Sequence, residues 1–91
     1  MPVSEFDPNI RARDVRVTDQ ALTVALVDGR TISAPLEWYP RLHRATEAQR
    51  ANWRLIGEGH GIHWPDVDED ISTIMLIEGL PSLEFERAKA R

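Results

Sequence analysis

Leu22, Val24 and Leu26 alternate with Thr23 and Ala25, then Asp28-Gly29 marks a turn, and Ile32 and Ala34 resume the alternation. This period of two with a turn signal dictates a β-hairpin over residues 22–34. Its register follows from burial. A two-residue loop of Asp28-Gly29 would set Ile32 and Ala34 on the opposite face from Leu22, Val24 and Leu26. A three-residue loop, Val27-Asp28-Gly29, pairs Leu26 with Arg30, Val24 with Ile32 and Leu22 with Ala34. Every large apolar residue except Val27 then shares one face. Because a slip of one residue would turn that face to water, the longer loop is expected, with Gly29 as its left-handed bulge residue.

Flanking segments extend this sheet. Residues 1–9 hold two prolines and two acids and read as a flexible lead-in to a single domain over 10–91. Val15 and Val17 alternate with charged residues, giving a half-exposed strand near 13–18. Between residues 36 and 52 the period is helical but interrupted. Pro40 cannot stand inside a long helix, so a short turn over Leu36 to Trp38 and another from Pro40 to Arg44 are expected. Thr46 and Gln49 have capping-box spacing, which starts a separate helix at Glu47.

Trp53 to Ile56 reads as a strand partly buried on each side, and Ile62 to Trp64 as its hairpin partner across Gly57, Gly59 and Gly61. Asp66 to Asp70 is an acidic loop. Ser72 caps a helix ending at Gly79, and a last helix runs from Leu83 toward residue 90. The fold class is α+β: a small antiparallel sheet from hairpin 22–34 and strands near 13–18 and 53–64, with short helices in 36–52 and 72–90.

Composition limits function. The 91 residues suffice for one core, and 42% apolar with 29% charged residues is the balance of a soluble globular chain. No apolar run approaches the roughly 20 residues a membrane helix needs, so no membrane partner is expected. The sequence opens without a charged-then-apolar leader, which makes the cytoplasm the expected compartment. Cysteine is absent, so disulfides, thiolate catalysis and sulfur-ligated zinc are excluded.

Candidate chemistry is sparse. His60 and His63 are three apart and would point to opposite faces of a strand, while His43 belongs to another element. Asp66, Asp68 and Asp70 begin like a calcium loop, but Ile71 stands where the turn glycine is needed and Ile77 where the bidentate Glu is needed. No serine sits in a glycine-flanked elbow, and the glycines follow no phosphate-binding pattern. A non-enzymatic protein without metal or cofactor is the expected reading.

Charge and aromatics are more informative. Residues 30–54 hold five Arg against Glu37 and Glu47, whereas residues 55–79 hold six acids and no Lys or Arg. This segregation suits a protein partner or self-association as a homodimer. The chain as a whole carries a net charge of -4, the wrong sign for a duplex-binding domain, so nucleic acid is the alternative through an Arg-rich face only. Trp38, Tyr39, Trp53 and Trp64 fall within one stretch beside Arg41, Arg44, Arg50 and Arg54. Aromatics so placed build a core cluster, and an exposed edge of it with arginines would form a binding hot spot.

The segments VALVDGRTISAPLEWYPRL, RANW and above all GHGIHWPDVDEDIS resemble the bacterial family known as domain of unknown function 2442, over roughly Val15 to Leu80. That resemblance implies a small α+β domain and a regulatory or antitoxin-like role beside a small protein encoded nearby. It brings no catalytic residues. It marks Gly61, Ile62, His63, Trp64, Pro65, Asp68, Glu69 and Asp70 as a signature, either a contact surface or a fold-determining turn. The candidate binding patch therefore comprises Trp38, Arg41, Arg44 and Arg50 from the aromatic and arginine pattern, with His63, Trp64, Asp68, Glu69 and Asp70 from the signature.

Overall fold

The hairpin takes the longer loop. In the computed structural model, which describes residues 10–89, Leu22 pairs with Ala34 and Val24 with Ile32, and Leu26 N–H donates to the Arg30 carbonyl at 2.8 Å. Gly29 has φ +95°, in the left-handed region that favours glycine. The Asp28 carboxylate closes the loop by accepting from Arg30 N–H at 3.0 Å and Arg30 Nε at 2.7 Å. Leu22, Val24 and Leu26 are fully buried, and Val27, the residue left off the shared face, is exposed. The lead-in expected at 1–9 lies outside the described residues, as do residues 90 and 91.

Strands β1 (Ala12–Val17), β2 (Ala21–Leu26) and β3 (Thr31–Pro35) form an antiparallel sheet in that order, with Val15 opposite Val24 and Val17 opposite Leu22. A 3-10 turn, Leu36–Trp38, hands over at Tyr39 to α1 (Pro40–His43), where Pro40 occupies the first turn and its missing N–H costs nothing. Helix α2 (Glu47–Ala51) carries the full capping box: Gln49 N–H donates to Thr46 Oγ1 at 3.1 Å, and Thr46 N–H donates to Gln49 Oε1 at 2.9 Å.

The α+β class holds, but the strands divide between two sheets instead of forming one. The helical segments carry the chain away from β3, and β4 (Arg54–Ile56), β5 (Gly61–Trp64) and β6 (Glu69–Ser72) form a second antiparallel sheet in that order. Strand β6 corrects the reading of 66–70 as loop. Ile62 faces Ile71, His63 faces Asp70 and Trp64 faces Glu69, so pairing recruits the last two acids and leaves a tight turn at Pro65–Asp68. Strand β4 also departs from expectation: as a sheet edge it leaves Arg54, Leu55 and Ile56 all exposed, not partly buried on each side.

Both sheets feed one core. Leu22, Val24 and Leu26 cluster with Leu36, Tyr39, Leu42, Ile62, Trp64, Ile71 and Leu76. One close backbone approach and one buried hydrogen bond hold the sheets together. At Gly59 (φ +95°) an added Cβ would lie 2.9 Å from the Ala12 carbonyl oxygen, so the turn before β5 presses against the start of β1. The fully buried Thr73 donates Oγ1–H to the Ile10 carbonyl at 2.7 Å, and its N–H donates to the His60 carbonyl at 3.0 Å. Helix α3 (Thr73–Glu78) begins at Ser72, whose Oγ accepts from Met75 N–H at 3.1 Å, and ends at Gly79 with φ +70°. Helix α4 (Leu83–Lys89) follows.

Candidate functional site

The signature and the arginines separate into three environments. The first is interior. Trp64 is fully buried and donates its indole Nε1–H to the Arg50 carbonyl at 3.0 Å, so it is a core residue and not part of a binding patch. Arg50 is likewise turned inward, its side chain only 13% exposed. Its Nε donates to the Leu42 carbonyl at 3.0 Å, which also accepts from Ala45 N–H, and its Nη2 to the His43 carbonyl at 2.9 Å, so the guanidinium caps the end of α1, where helix carbonyls run out of intrahelical donors. Its Nη1 lies 3.6 Å from Asp19 Oδ1. Trp38 is half-buried against the core, and its carbonyl accepts from Ser82 N–H at 3.1 Å. Sequence pattern drew Arg50, Trp38 and Trp64 into the patch, and packing takes Arg50 and Trp64 out of it.

The second environment is an arginine groove. Helix α1 and its C-cap present Arg41 and Arg44 three residues apart, the spacing that puts two side chains on one helical face. The Glu84 carboxylate from α4 bridges them, with Oε1 at 2.5 Å from Arg41 Nε and Oε2 at 3.6 Å from Arg44 Nη2. Arg41 Nη1 also donates to the Asp68 carbonyl at 2.7 Å; Asp68 has φ +52° in the turn before β6. The hydrogen bond from Arg41 to Glu84, aided by their mutual attraction, holds the guanidinium proton more firmly than usual. Glu69, half-buried nearby, has its carboxyl pushed above the ordinary range by burial, against the opposing pull of Arg41. Ala45, Gln49 and Val67 line a shallow groove of about 260 Å³ alongside the two arginines.

The third environment is the outer face of the second sheet. Partners across strands share a face, so Arg54, His63 and Asp70 form one row and Ile56, Gly61 and Ser72 the next. His63 Nδ1 sits 2.5 Å from Asp70 Oδ1, a charge-assisted contact when the imidazole is protonated. Ile56 covers the bare backbone of Gly61, where an added Cβ would lie 3.0 Å from Ile56 Cγ1. Glu69 and Asp70 are neighbours in sequence yet point to opposite faces of the sheet, so the acidic run does not act as one surface.

Sequence reasoning missed Glu84, Gln49 and Val67. Glu84 lies 43 residues from Arg41 and carries no local signal beyond being an acid in a short helix. Among the described residues, no three His, Asp or Glu side chains gather as a metal-ligand set. No described helix is long and apolar enough to cross a membrane.

Two solved structures share this fold. One is a crystal structure of a protein of unknown function from Rhodospirillum rubrum, 28% identical, covering 81% of this chain and 92% of its own, with a TM-score of 0.70. The other is a solution NMR structure of an uncharacterized protein from Chromobacterium violaceum, 21% identical, covering 88% of this chain and 75% of its own, with a TM-score of 0.71. No curated protein matches the sequence. The model of the family described as protein of unknown function (DUF2442) matches residues 12–82, most of the chain, and the protein belongs to that family.

Proposed function

We propose that the chain is a non-enzymatic, antitoxin-like regulatory module of the cytoplasm that binds a small protein encoded nearby. The observation that carries this reading is β4: an edge strand with Arg54, Leu55 and Ile56 all exposed, beside the row Arg54, His63 and Asp70. An open strand edge offers backbone hydrogen bonds to an incoming strand, and side chains on alternate faces give it specificity. The partner accordingly supplies an extended segment with apolar residues against Leu55 and Ile56. The neighbourhood that the family resemblance implies supports a small protein in that role.

The nucleic-acid alternative has less to stand on. Arg41 and Arg44 share the Glu84 carboxylate, and Arg50 is engaged with backbone carbonyls inside the domain. Phosphate contacts would have to displace these partners.

Coexpression with the product of the adjacent gene tests the proposal. A complex that survives size exclusion at moderate salt, and is lost with Ile56→Lys, is the expected result. Absence of a complex, or one indifferent to Ile56→Lys, overturns it. A homodimer of the chain alone that Ile56→Lys dissolves would instead assign the edge to a second copy.

A further inference from the structure

We infer that the groove between Arg41 and Arg44 is a recognition site for an acidic side chain of a protein partner, held closed in the free chain by Glu84 acting as an internal stand-in. The inference rests on the proposed function only in taking the ligand to be a protein; it requires neither β4 nor the neighbouring gene.

Glu84 shows what the site binds. One planar carboxylate offers an oxygen to each arginine, Oε1 to Arg41 and Oε2 to Arg44. Arg41 does not depend on Glu84 for its position, because the Asp68 carbonyl holds its other end at 2.7 Å. Removal of the carboxylate would therefore leave a preorganised donor. Ala45 and Val67 beside it provide apolar contact and Gln49 a further hydrogen-bonding group.

The stand-in is loosely held. Leu83 is 71% exposed, and among the described residues Phe85 is half-buried without joining the core cluster. The main-chain ties of α4 run through Ser82, whose N–H reaches Trp38 and whose Oγ accepts from Phe85 N–H at 3.3 Å. The family match ends at Ser82, so the groove belongs to the matched domain and α4 follows it. Glu84, Arg41 and Arg44 are 38%, 43% and 69% exposed, and ion pairs that wet contribute little, which makes exchange easy. A polyphosphate is the poorer occupant: the acidic Asp68 and Glu69 lie close to Arg41 and would repel added negative charge.

The test measures fluorescence anisotropy of a labelled peptide with the sequence of residues 83–87 against three full-length chains: wild type, Glu84→Gln, and Glu84→Gln with Arg41→Gln. A tethered competitor held by exposed ion pairs occupies the groove only in part, so Glu84→Gln is expected to bind about threefold more tightly than wild type. Adding Arg41→Gln is expected to abolish the gain. Equal binding by wild type and Glu84→Gln overturns the inference, as does a gain that survives Arg41→Gln. Inorganic phosphate competing as well as the peptide would make the groove a phosphate site and also overturn it. Should Glu84→Gln fail to fold, Glu84→Asp, which keeps the charge but shortens its reach, supplies the same comparison. A missing complex with the neighbouring protein would leave this result standing, so the two readings fail separately.

Discussion

The indole of Trp64 on β5 donates to the Arg50 carbonyl at 3.0 Å, while the Arg50 guanidinium donates to the carbonyls of Leu42 and His43. One residue of α2 thus ties that helix to the second sheet through its backbone and closes α1 through its side chain. Truncating Arg50 would remove the guanidinium donor from the His43 carbonyl and the second donor from the Leu42 carbonyl, which otherwise keeps the Ala45 N–H at 3.1 Å. Arg50→Met is expected to destabilise the fold by about 2 kcal/mol, the usual scale for losing charged hydrogen bonds at a partly buried site. Urea unfolding checks it. Arg44→Met, at an exposed arginine, is the control and should change stability by less than about 1 kcal/mol.

Gly59 and Gly29 both have φ +95° but differ in surroundings. At Gly29 nothing lies within 4 Å of an added Cβ, whereas at Gly59 the Ala12 carbonyl oxygen is 2.9 Å away and belongs to backbone that cannot swing aside. Gly29→Ala should cost roughly 1 kcal/mol from left-handed strain alone. Gly59→Ala should cost more, about 2–4 kcal/mol, because the two sheets must also separate slightly. Thermal melts of the two variants give the comparison, and equal losses would refute the close approach.

Tyr39 is fully buried and donates its hydroxyl to the Leu80 carbonyl at 3.3 Å. Burial, with a smaller contribution from Glu69, pushes its phenol from 10.0 up to about 12. The unfolded chain therefore loses this proton first, and the stability it contributes is complete below pH 10 and drains away as pH rises toward 12. Tyr39→Phe should lower stability at neutral pH through the lost hydrogen bond and flatten the decline in that alkaline window. Chemical unfolding across the window checks both.

Local chemistry made part of this fold legible. The loop of the hairpin, the Thr46 and Gln49 capping box, the Ser72 cap and the Gly79 stop each depend on residues within a few positions, and each was readable. The division into two sheets was not, because it depends on where the helical middle deposits β4. The acids Glu69 and Asp70 read as solvated loop since their partners Trp64 and His63 meet them only across the turn. Arg44 and Arg50 are indistinguishable as letters. What separates them is that Arg50 sits in a helix that packs it beneath α1, whereas Arg44 caps α1 at the surface. Of the candidate residues, Arg41, Arg44, Asp68 and Glu69 lie near one another, and the Glu84 carboxylate that bridges the two arginines carried no sequence signal.

Glu69 gives that cluster a pH signature. Its carboxyl lies above its usual 4.5, chiefly through burial, with Arg41 resisting the shift. A raised carboxyl holds its proton in the folded state, so the stability it lends is present below pH 4.5 and lost as pH climbs through the folded value. At neutral pH the charged, half-buried carboxylate is a net burden on the fold. Glu69→Gln keeps the shape without the charge and should therefore be more stable than wild type near pH 7, with the advantage shrinking on acidification. Arg41→Gln removes the larger of the two opposing influences and leaves the Asp70 N–H, so in that background the advantage conferred by Glu69→Gln at neutral pH should widen. Unfolding free energies for the four chains of that double-mutant cycle, measured near pH 7 and below pH 4.5, decide the matter. An advantage for Glu69→Gln that is the same at both values would mean that the charge on this carboxyl does not set it and would refute the burial argument.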